Sequence, residues 1–236
     1  MSRRSPAKVL GGGLLDVAGA VLRPWTAVVL WWRRLWFVVR VEVRARSVGS
    51  SIDLALAGGV RLGRRITVEI QPGTHNRLHV GEASNIGDDV VLHFLGGTMD
   101  FGSGVIMRKG SWADSSGVLS VGDGVFIGTG TFLHCAEQTT VEALAVLAER
   151  VVVTDSRHLR TGAGVPAFHH VKATPTSIGE NAWLGAHAVV TAGVRVGAGT
   201  VVGASAVVTE DVADGWLAAG NPARPVRLLD TEDTGG

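Results

Sequence analysis

Aliphatic side chains recur at every sixth position in the last third of the chain. The positions are Ile178, Leu184, Val190, Val196, Val202 and Val208. Each is followed by glycine or threonine, and the fourth residue after each is alanine, valine or threonine. This period fits neither the 3.6-residue period of an α-helix nor the two-residue alternation of a half-buried strand. It predicts a chain wound into triangular coils, with the aliphatic side chain inside and a small residue at each bend, which is a parallel β-solenoid.

The same register continues upstream in shorter runs. These runs are Val80, Ile86 and Leu92; Phe101 and Met107; Val121, Ile127 and Leu133; and Val141, Leu147 and Val153. The runs are out of phase with one another, so we expect loops to project between the coils. The longest interruption, residues 154–177, contains a concentration of polar side chains and is predicted to be an excursion loop.

The first 50 residues have a different pattern. From Pro24 onward, tryptophan, leucine and valine recur with the spacing i, i+3, i+4 and i+7, which predicts a helix that begins just after this proline. Arg33, Arg40 and Arg44 fall on a strip beside the apolar stripe. Such a helix either packs on its own domain or a neighbouring subunit, or lies in a membrane interface. A spanning helix and a signal peptide are disfavoured because charged residues, Asp16 among them, interrupt the apolar stretches.

These patterns divide the chain into three parts. Residues 1–50 form an amphipathic helical segment, residues 51–215 form the solenoid with the excursion loop at 154–177, and residues 216–236 form a C-terminal turn and tail. The expected fold class is therefore all-β, with a Trp- and Arg-rich helix before the solenoid and a short extension after it.

The amino-acid composition excludes some classes of partner and of metal site. The 236 residues include 22 basic and 21 acidic side chains, which give a net charge of +1, so no nucleic-acid partner is expected. The single cysteine, Cys135, permits neither an internal disulfide nor a cysteine-rich zinc site, and we interpret it as a small buried hydrophobic residue. Glycine is abundant, at 33 residues, and the coil bends need small residues.

Three segments carry a resemblance to a known family. They are residues 177–186 (SIGENAWLGA), residues 201–209 (VVGASAVVT) and residues 219–224 (AGNPAR). The chain resembles the hexapeptide-repeat acyltransferases over about residues 56–229, specifically the branch of sugar, xenobiotic and polysaccharide O-acetyltransferases. The resemblance implies a left-handed β-helix, a homotrimer with active sites between neighbouring chains, acetyl-coenzyme A as the co-substrate, no metal, and a cytoplasmic location. If the helix contacts lipid, that location becomes the inner face of the cell membrane.

Acyl transfer from a thioester to a hydroxyl group needs a general base, and histidine suits this task because its pKa lies near working pH. The position of His158, just after a coil and before the Trp-x-Gly segment, resembles that of the family's catalytic histidine. His158 is therefore the predicted base for direct transfer to a sugar or a cell-envelope glycan precursor. Asp155, three positions earlier, either orients the imidazole of His158 or simply forms a turn.

The resemblance also implies a donor site. Trp183 corresponds to the residue near the thioester, Ala186, Ala204 and Thr209 to residues along the pantetheine arm, and Arg224 and Arg227 to the groups that bind the coenzyme phosphates. One departure is Glu210, where relatives often have lysine. Candidate acceptor-binding residues are His93, Asp100, His169 and His170, and the acceptor itself is left open.

Two other functions compete with acyl transfer. One is a zinc-dependent lyase like the trimeric carbonic anhydrases that share this solenoid. Such enzymes use two histidines five residues apart, whereas His75 and His79 are four apart, so their spacing does not match. The other is a non-catalytic trimeric scaffold.

Overall fold

The computed structural model of the chain describes residues 24–159 and 170–229. In these residues one helix, α1 (Pro24–Ser47), precedes a parallel β-solenoid. The expectations for residues 1–23 and for the last residues of the tail lie outside the described residues.

Each coil of the solenoid is built from short strands. In chain order, the strands of the described residues are β1 (Ser51–Leu56), β2 (Arg61–Leu62), β3 (Thr67–Ile70), β4 (His75–Val80), β5 (Asn85–Ile86), β6 (Val91–Phe94), β7 (Thr98–Phe101), β8 (Ile106–Met107), β9 (Trp112–Ser115), β10 (Val118–Val121), β11 (Phe126–Ile127), β12 (Phe132–Cys135), β13 (Gln138–Val141), β14 (Val146–Leu147), β15 (Val152–Thr154), β16 (Ser156–His158), β17 (Val171–Ala173), β18 (Thr176–Ile178), β19 (Trp183–Leu184), β20 (Val189–Val190), β21 (Arg195–Val196), β22 (Val201–Val202), β23 (Val207–Val208), β24 (Trp216–Gly220) and β25 (Ala223–Leu228).

Three sheets form the sides of the column. The first sheet has the order β1-β4-β7-β10-β13-β18-β21, the second β2-β5-β8-β11-β14-β19-β22-β24-β25, and the third β3-β6-β9-β12-β15-β20-β23. Successive strands of one coil go to successive sheets, and each strand pairs in parallel with the strand one coil away, as β12 does with β9 and β15. The predicted parallel solenoid is confirmed, and the arrangement is consistent with a left-handed β-helix.

The core of the column consists of the hexad side chains. Every aliphatic or aromatic residue that the six-residue pattern placed inside is buried. The bends need small residues because the coils stack closely: a Cβ added to Gly128 would lie 2.4 Å from the carbonyl carbon of Ala148. Cys135 is buried as expected, and this burial raises the pKa of its thiol to about 11, so the thiol stays protonated at neutral pH.

Helix α1 packs on the first coils through a face that the sequence pattern did not single out. Phe37, Val41 and Ala45, spaced four residues apart, are buried against the solenoid. The guanidinium groups of Arg34 and Arg40 donate to the carbonyl oxygens of Leu56 and Ile66, each at 2.6 Å.

The predicted apolar stripe of α1 is exposed instead of packed. Trp32, Leu35, Trp36 and Val39 all lie at the surface, and residue Trp36 is 69% exposed. The helix therefore packs on its own domain, as the first alternative expected, but through Phe37, Val41 and Ala45 and not through this stripe. Nowhere in the described residues is a helix both long enough and apolar enough to span a membrane.

The C-terminal extension continues the second sheet. β24 pairs in parallel with β22, and β25 then returns antiparallel to β24 after a turn at Asn221–Pro222. The segment predicted as a turn and tail thus begins as two paired strands, because Leu217 and Ala218 extend the stacking of the preceding coils.

Candidate active site

A small hairpin projects from the corner between the third and first sheets. The chain leaves the third sheet at Thr154 and enters the first sheet at Thr176, and between them β16 and β17 pair antiparallel, with Ser156 opposite Ala173. The predicted excursion therefore begins and ends as a two-stranded hairpin. His169 lies outside the described residues.

His158 is exposed at the outer end of this hairpin. It is the last residue of β16 and lies opposite Val171. Just beyond it, the peptide N–H of Leu159 donates to the carbonyl oxygen of His170 at 2.7 Å, so His170 lies across the hairpin from Leu159. Because side chains alternate along a strand, Ser156 and His158 project from the same face of β16.

A groove of about 620 Å³ runs beside the base of the hairpin. Its walls are mostly hydroxyl-bearing and cationic side chains: Thr154, Ser156, Arg157, Lys172, Thr174, Thr191, Ala192 and Thr209. The two cations favour an anionic or strongly polar ligand, and the threonines supply hydrogen-bonding groups. Thr209, one of the predicted coenzyme residues, is part of this wall.

Asp155 points away from solvent and stabilises a turn. Its fully buried carboxylate accepts hydrogen bonds from the peptide N–H groups of Ala136, Glu137 and Gln138 at 2.7, 2.7 and 2.8 Å. Both carboxylate oxygens are therefore engaged by the turn of the preceding coil. These contacts fit the turn-forming alternative, and the role of Asp155 in orienting His158 stays a prediction.

A chain of three polar side chains that the sequence analysis did not identify leads into the groove. The Nδ1 atom of His134 lies 2.6 Å from Oδ1 of Asp114, and the Nε2 atom of His134 lies 2.8 Å from Oγ of Ser156. The hydrogen bond to Asp114 raises the pKa of His134, while partial burial opposes this shift. The available signal was the spacing of 20 residues per coil, which places Asp114, His134 and Thr154 in register on the third sheet.

The predicted donor residues are divided between two corners of the column. Trp183 is on β19 of the second sheet, and 54% of the residue is exposed. Ala186 and Ala204 lie in the turns between the second and third sheets, where the peptide N–H of Ser205 donates to the carbonyl of Ala186 at 2.8 Å. Thr209 lies in a turn between the third and first sheets. A single chain therefore does not bring all four together at one corner.

The predicted phosphate-binding arginines lie on β25 at the edge of the second sheet. Both Arg224 and Arg227 are exposed. An Nη atom of Arg224 lies 3.5 Å from the carboxylate of Glu210, the residue that departs from the family pattern. Glu210 thus places a negative charge next to one of the two expected phosphate ligands.

The predicted acceptor residues also lie on different sides. His93 is on β6 of the third sheet, in register with Asp114, and the centroids of the His93 and Trp112 rings are 6.5 Å apart in a T-shaped arrangement. Asp100 is on β7 of the first sheet, where its Oδ1 lies 2.6 Å from Nδ1 of His79. The structure therefore places His93 on the sheet that carries His134, and Asp100 on another.

The two histidines considered for the alternative zinc site each contact another side chain. His75 Nδ1 lies 2.6 Å from Ser51 Oγ, and His79 pairs with Asp100. Across residues 24–159 and 170–229, no group of three or more histidine, cysteine, aspartate or glutamate side chains is placed to hold a metal ion.

Comparison with known proteins supports the repeat assignment. The family described as "Bacterial transferase hexapeptide (six repeats)" matches residues 175–210. A Staphylococcus aureus (strain MRSA252) protein, SAR2635, provisionally named as an acetyltransferase, is 39% identical over 70 residues, which are 28% of this chain and 35% of that protein. The galactoside O-acetyltransferase of Escherichia coli (strain K12) is 26% identical over 131 residues, which are 53% of this chain and 64% of that enzyme. The chain thus spans about one third and just under two thirds of the lengths of these relatives.

Solved structures with a similar course of the chain include AntD, an N-acyltransferase from Bacillus cereus, whose S84A mutant was solved with a dTDP-amino-sugar and coenzyme A. It is 18% identical with a TM-score of 0.48, and the match covers 80% of this chain and 89% of AntD.

Proposed function

We propose that this chain, whose residues 175–210 match the bacterial transferase hexapeptide family, transfers an acyl group from acyl-coenzyme A to a hydroxyl group. The observation that carries the proposal is the exposed His158 on a hairpin beside a groove lined with threonine, arginine and lysine side chains. In the proposed reaction His158 takes the proton of the acceptor hydroxyl as its oxygen attacks the acyl carbon. We propose acetyl as the acyl group and a sugar or cell-envelope glycan precursor as the acceptor.

The donor is proposed to lie along the flank of the solenoid. Small residues at Ala186 and Ala204 let an extended pantetheine arm approach the backbone, and the exposed ring of Trp183 offers a contact near the thioester. Arg224 and Arg227 are the proposed ligands of the coenzyme phosphates. The relatives named as acetyltransferases support this choice of donor.

We propose a homotrimer as the assembly that brings these residues together. Trp183 lies on the second sheet, and Ala186 and Ala204 lie in the turns between the second and third sheets. Thr209, the groove and its hairpin lie at the corner between the third and first sheets. Packing the corner of one chain that holds Ala186 and Ala204 against the hairpin corner of its neighbour completes the proposed site. Analytical ultracentrifugation is expected to give a mass of three chains, and a monomeric mass at assay concentration would contradict the proposal.

The function is tested by release of coenzyme A thiol from acetyl-coenzyme A in the presence of sugars, nucleotide sugars and lipid-linked glycans. We expect at least one acceptor to raise thiol release well above the rate with water alone. Calorimetry should show binding of coenzyme A to the same preparation. Absence of both binding and release would favour a trimeric scaffold, whereas stoichiometric zinc with no thiol release would favour the lyase alternative.

We also propose that α1 holds the protein at the inner face of the cell membrane, with the catalytic column in the cytoplasm. Trp31, Trp32 and Trp36 are all more than half exposed on the helix. Next to them, a cleft of about 270 Å³ is lined in part by Arg33 and Arg40. Indole rings favour the headgroup region and arginines favour anionic lipid, so the two features act together.

Binding to lipid vesicles tests this location. The full chain is expected to co-sediment with vesicles that contain phosphatidylglycerol, and less with pure phosphatidylcholine. Replacing Trp32 and Trp36 with serine should weaken binding by about tenfold, because two interfacial indoles are lost. Trp183→Ser is the matched control, since Trp183 is similarly exposed but lies on the solenoid. Equal loss in both variants, or no binding by the native chain, would contradict the proposal.

A further inference from the structure

We propose that the cleft between α1 and the bend at residues 62–66 binds the phosphate group of an anionic lipid headgroup, one per chain. The inference rests on the proposed membrane location for the lipid surface itself. It adds a discrete site to that location, with Arg33 and Arg64 as the phosphate ligands. Lipid binding then depends on the positions of these two arginines and not only on the total charge of the helix.

Positive charge is concentrated in the helix and the first coil. Residues 24–66 contain eight arginines and only two acidic residues, Glu42 and Asp53, which give a net charge of +6, whereas the whole chain carries +1. The rest of the chain is therefore acidic on balance. A region of one sign attracts ions of the opposite sign and orients the molecule toward an anionic surface.

Helix α1 lies across the first coil of the solenoid. It contacts β1, β2 and β3, which belong to three different sheets, and a helix that ran along the outside of the column could reach only two of them. Its exposed stripe therefore faces outward from the end of the column. A membrane that contacts this stripe also meets the cleft, because Trp36 belongs to both.

The cleft combines cationic side chains with apolar walls. Four arginines line it, Arg33 and Arg40 from α1 and Arg64 and Arg65 from the bend, and most of its other lining residues are apolar. Guanidinium groups bind phosphate oxygens through paired N–H donors. Apolar surroundings strengthen such contacts because water competes less for the charged groups.

Two of the four arginines already have partners in the protein. The guanidinium of Arg40 donates to the carbonyl oxygen of Ile66 at 2.6 Å. The guanidinium of Arg65 donates two hydrogen bonds to the carboxylate of Asp89, at 2.5 and 2.6 Å. These contacts fix the walls of the cleft and neutralise Asp89.

Arg33 and Arg64 are the two arginines that a ligand can engage. In the part of the chain that the structure describes, neither guanidinium takes part in a hydrogen bond or an ion pair. Arg33 is half-buried and Arg64 is exposed, and the carboxylate of Asp88 accepts the peptide N–H of Arg64 at 2.6 Å. With Asp88 and Asp89 counted, the four arginines leave an excess of positive charge, which suits a phosphate group.

Stabilisation of the fold accounts for other arginines of α1 but not for Arg33. Arg34 and Arg40 bind carbonyl oxygens of the first coil, so both have a structural role. A half-buried guanidinium is more stable with an acceptor, because burial removes part of the hydration of its charge. A phosphate oxygen supplies such an acceptor for Arg33.

The test compares two double variants of the full chain that lose the same charge. Arg33→Gln with Arg64→Gln, the cleft variant, removes the proposed ligands. Arg44→Gln with Arg61→Gln is the matched control, because it also removes one arginine of α1 and one of the solenoid, and neither lines the cleft. Co-sedimentation with vesicles of phosphatidylcholine and phosphatidylglycerol measures lipid binding.

We expect the cleft variant to bind these vesicles at least about tenfold more weakly than the control, because it loses hydrogen bonds to the phosphate besides the charge. Calorimetry with dihexanoyl phosphatidylglycerol below its micelle concentration should give one site per chain, lost only in the cleft variant. Glycerophosphoglycerol, the same headgroup without acyl chains, should bind at least about tenfold more weakly than the short-chain lipid, since it makes no contact with the indoles. Thiol release from acetyl-coenzyme A should be native in both variants.

Circular dichroism melting checks that the cleft variant is folded. If it melts well below the control, Arg33→Lys with Arg64→Lys takes its place, because lysine keeps both charges but not the paired donors. The lysine variant should bind vesicles at least about threefold more weakly than the native chain, and binding equal to the native chain would contradict the site.

The outcomes separate this inference from the proposed membrane location. Equal loss in the cleft and control variants, with binding that still depends on Trp32 and Trp36, overturns the discrete site and leaves the location standing. One site for the short-chain lipid in a chain that does not sediment with vesicles supports the cleft and contradicts the location. Glycerophosphoglycerol that binds as tightly as the short-chain lipid overturns lipid as the ligand, and a native chain that binds none of these probes overturns the inference.

Discussion

Replacing His158 with alanine is expected to lower the turnover of acyl transfer by about 10²- to 10⁴-fold, because general-base removal of the acceptor proton contributes a factor of this size. His158 is exposed at the end of the hairpin, so the substitution leaves no cavity in the column and the trimer should persist. The measurement is acceptor-dependent thiol release by the purified variant, together with its mass in solution.

His75→Ala is the matched control for this variant. His75 is exposed like His158, but it lies on a strand of the first sheet and far along the chain from the hairpin. The turnover of His75→Ala should stay within about twofold of the native value. A surface substitution has a small effect on stability, and His75 lies outside the proposed site. Native turnover in His158→Ala, with the trimer intact, would remove His158 from the role of base.

A mixture of two inactive variants tests whether the active site is formed by residues of two neighbouring chains. His158→Ala removes the base, and Trp183→Ala removes a proposed donor contact on the second sheet. In a mixed trimer some interfaces combine the intact His158 of one chain with the intact Trp183 of its neighbour. Recovered activity in the mixture therefore supports a site between chains, whereas two inactive partners that stay inactive after co-refolding contradict it.

The solenoid could be predicted because its determinants are local. One aliphatic residue and one small residue per hexad are enough to fix which side chains point inward, and Leu133, Leu147 and Ile178 are all buried as the period requires. The exposed stripe of α1 could not be predicted in the same way. The helix is apolar on more than one face, and the pattern does not say that Phe37 and Val41 face the coils while Trp36 faces out.

In the candidate site, too, only the residue next to the repeat could be predicted from the sequence. His158 could be identified because it adjoins a recognisable repeat, but its neighbours could not. Asp114 and His134 are 20 residues apart, and their pairing depends on the lengths of the turns between them, which shift the register from coil to coil. The direction of Asp155 was also undetermined, since a residue at a bend can turn either outward to a histidine or inward to the backbone.

Asp155→Ala is expected to lower the free energy of unfolding by about 3 kcal/mol, because the peptide N–H groups of Ala136, Glu137 and Gln138 lose their acceptor. Water can reach part of this turn, so the loss should stay below the sum of three fully buried donors. Urea unfolding followed by circular dichroism measures it.

Comparing Asp155→Ala with two further variants shows whether the Asp155 carboxylate stabilises the turn or positions the imidazole of His158. Asp155→Asn retains an acceptor oxygen and should cost about half as much as alanine. Asp123→Ala removes an exposed carboxylate with a single 2.7 Å backbone contact, to Ser103, and should cost less than about 1 kcal/mol. If Asp155→Ala unfolds like the native chain but loses turnover as His158→Ala does, Asp155 acts on the imidazole after all. If stability falls while the folded fraction keeps native turnover, the carboxylate serves the turn, and the base at residue 158 works without it.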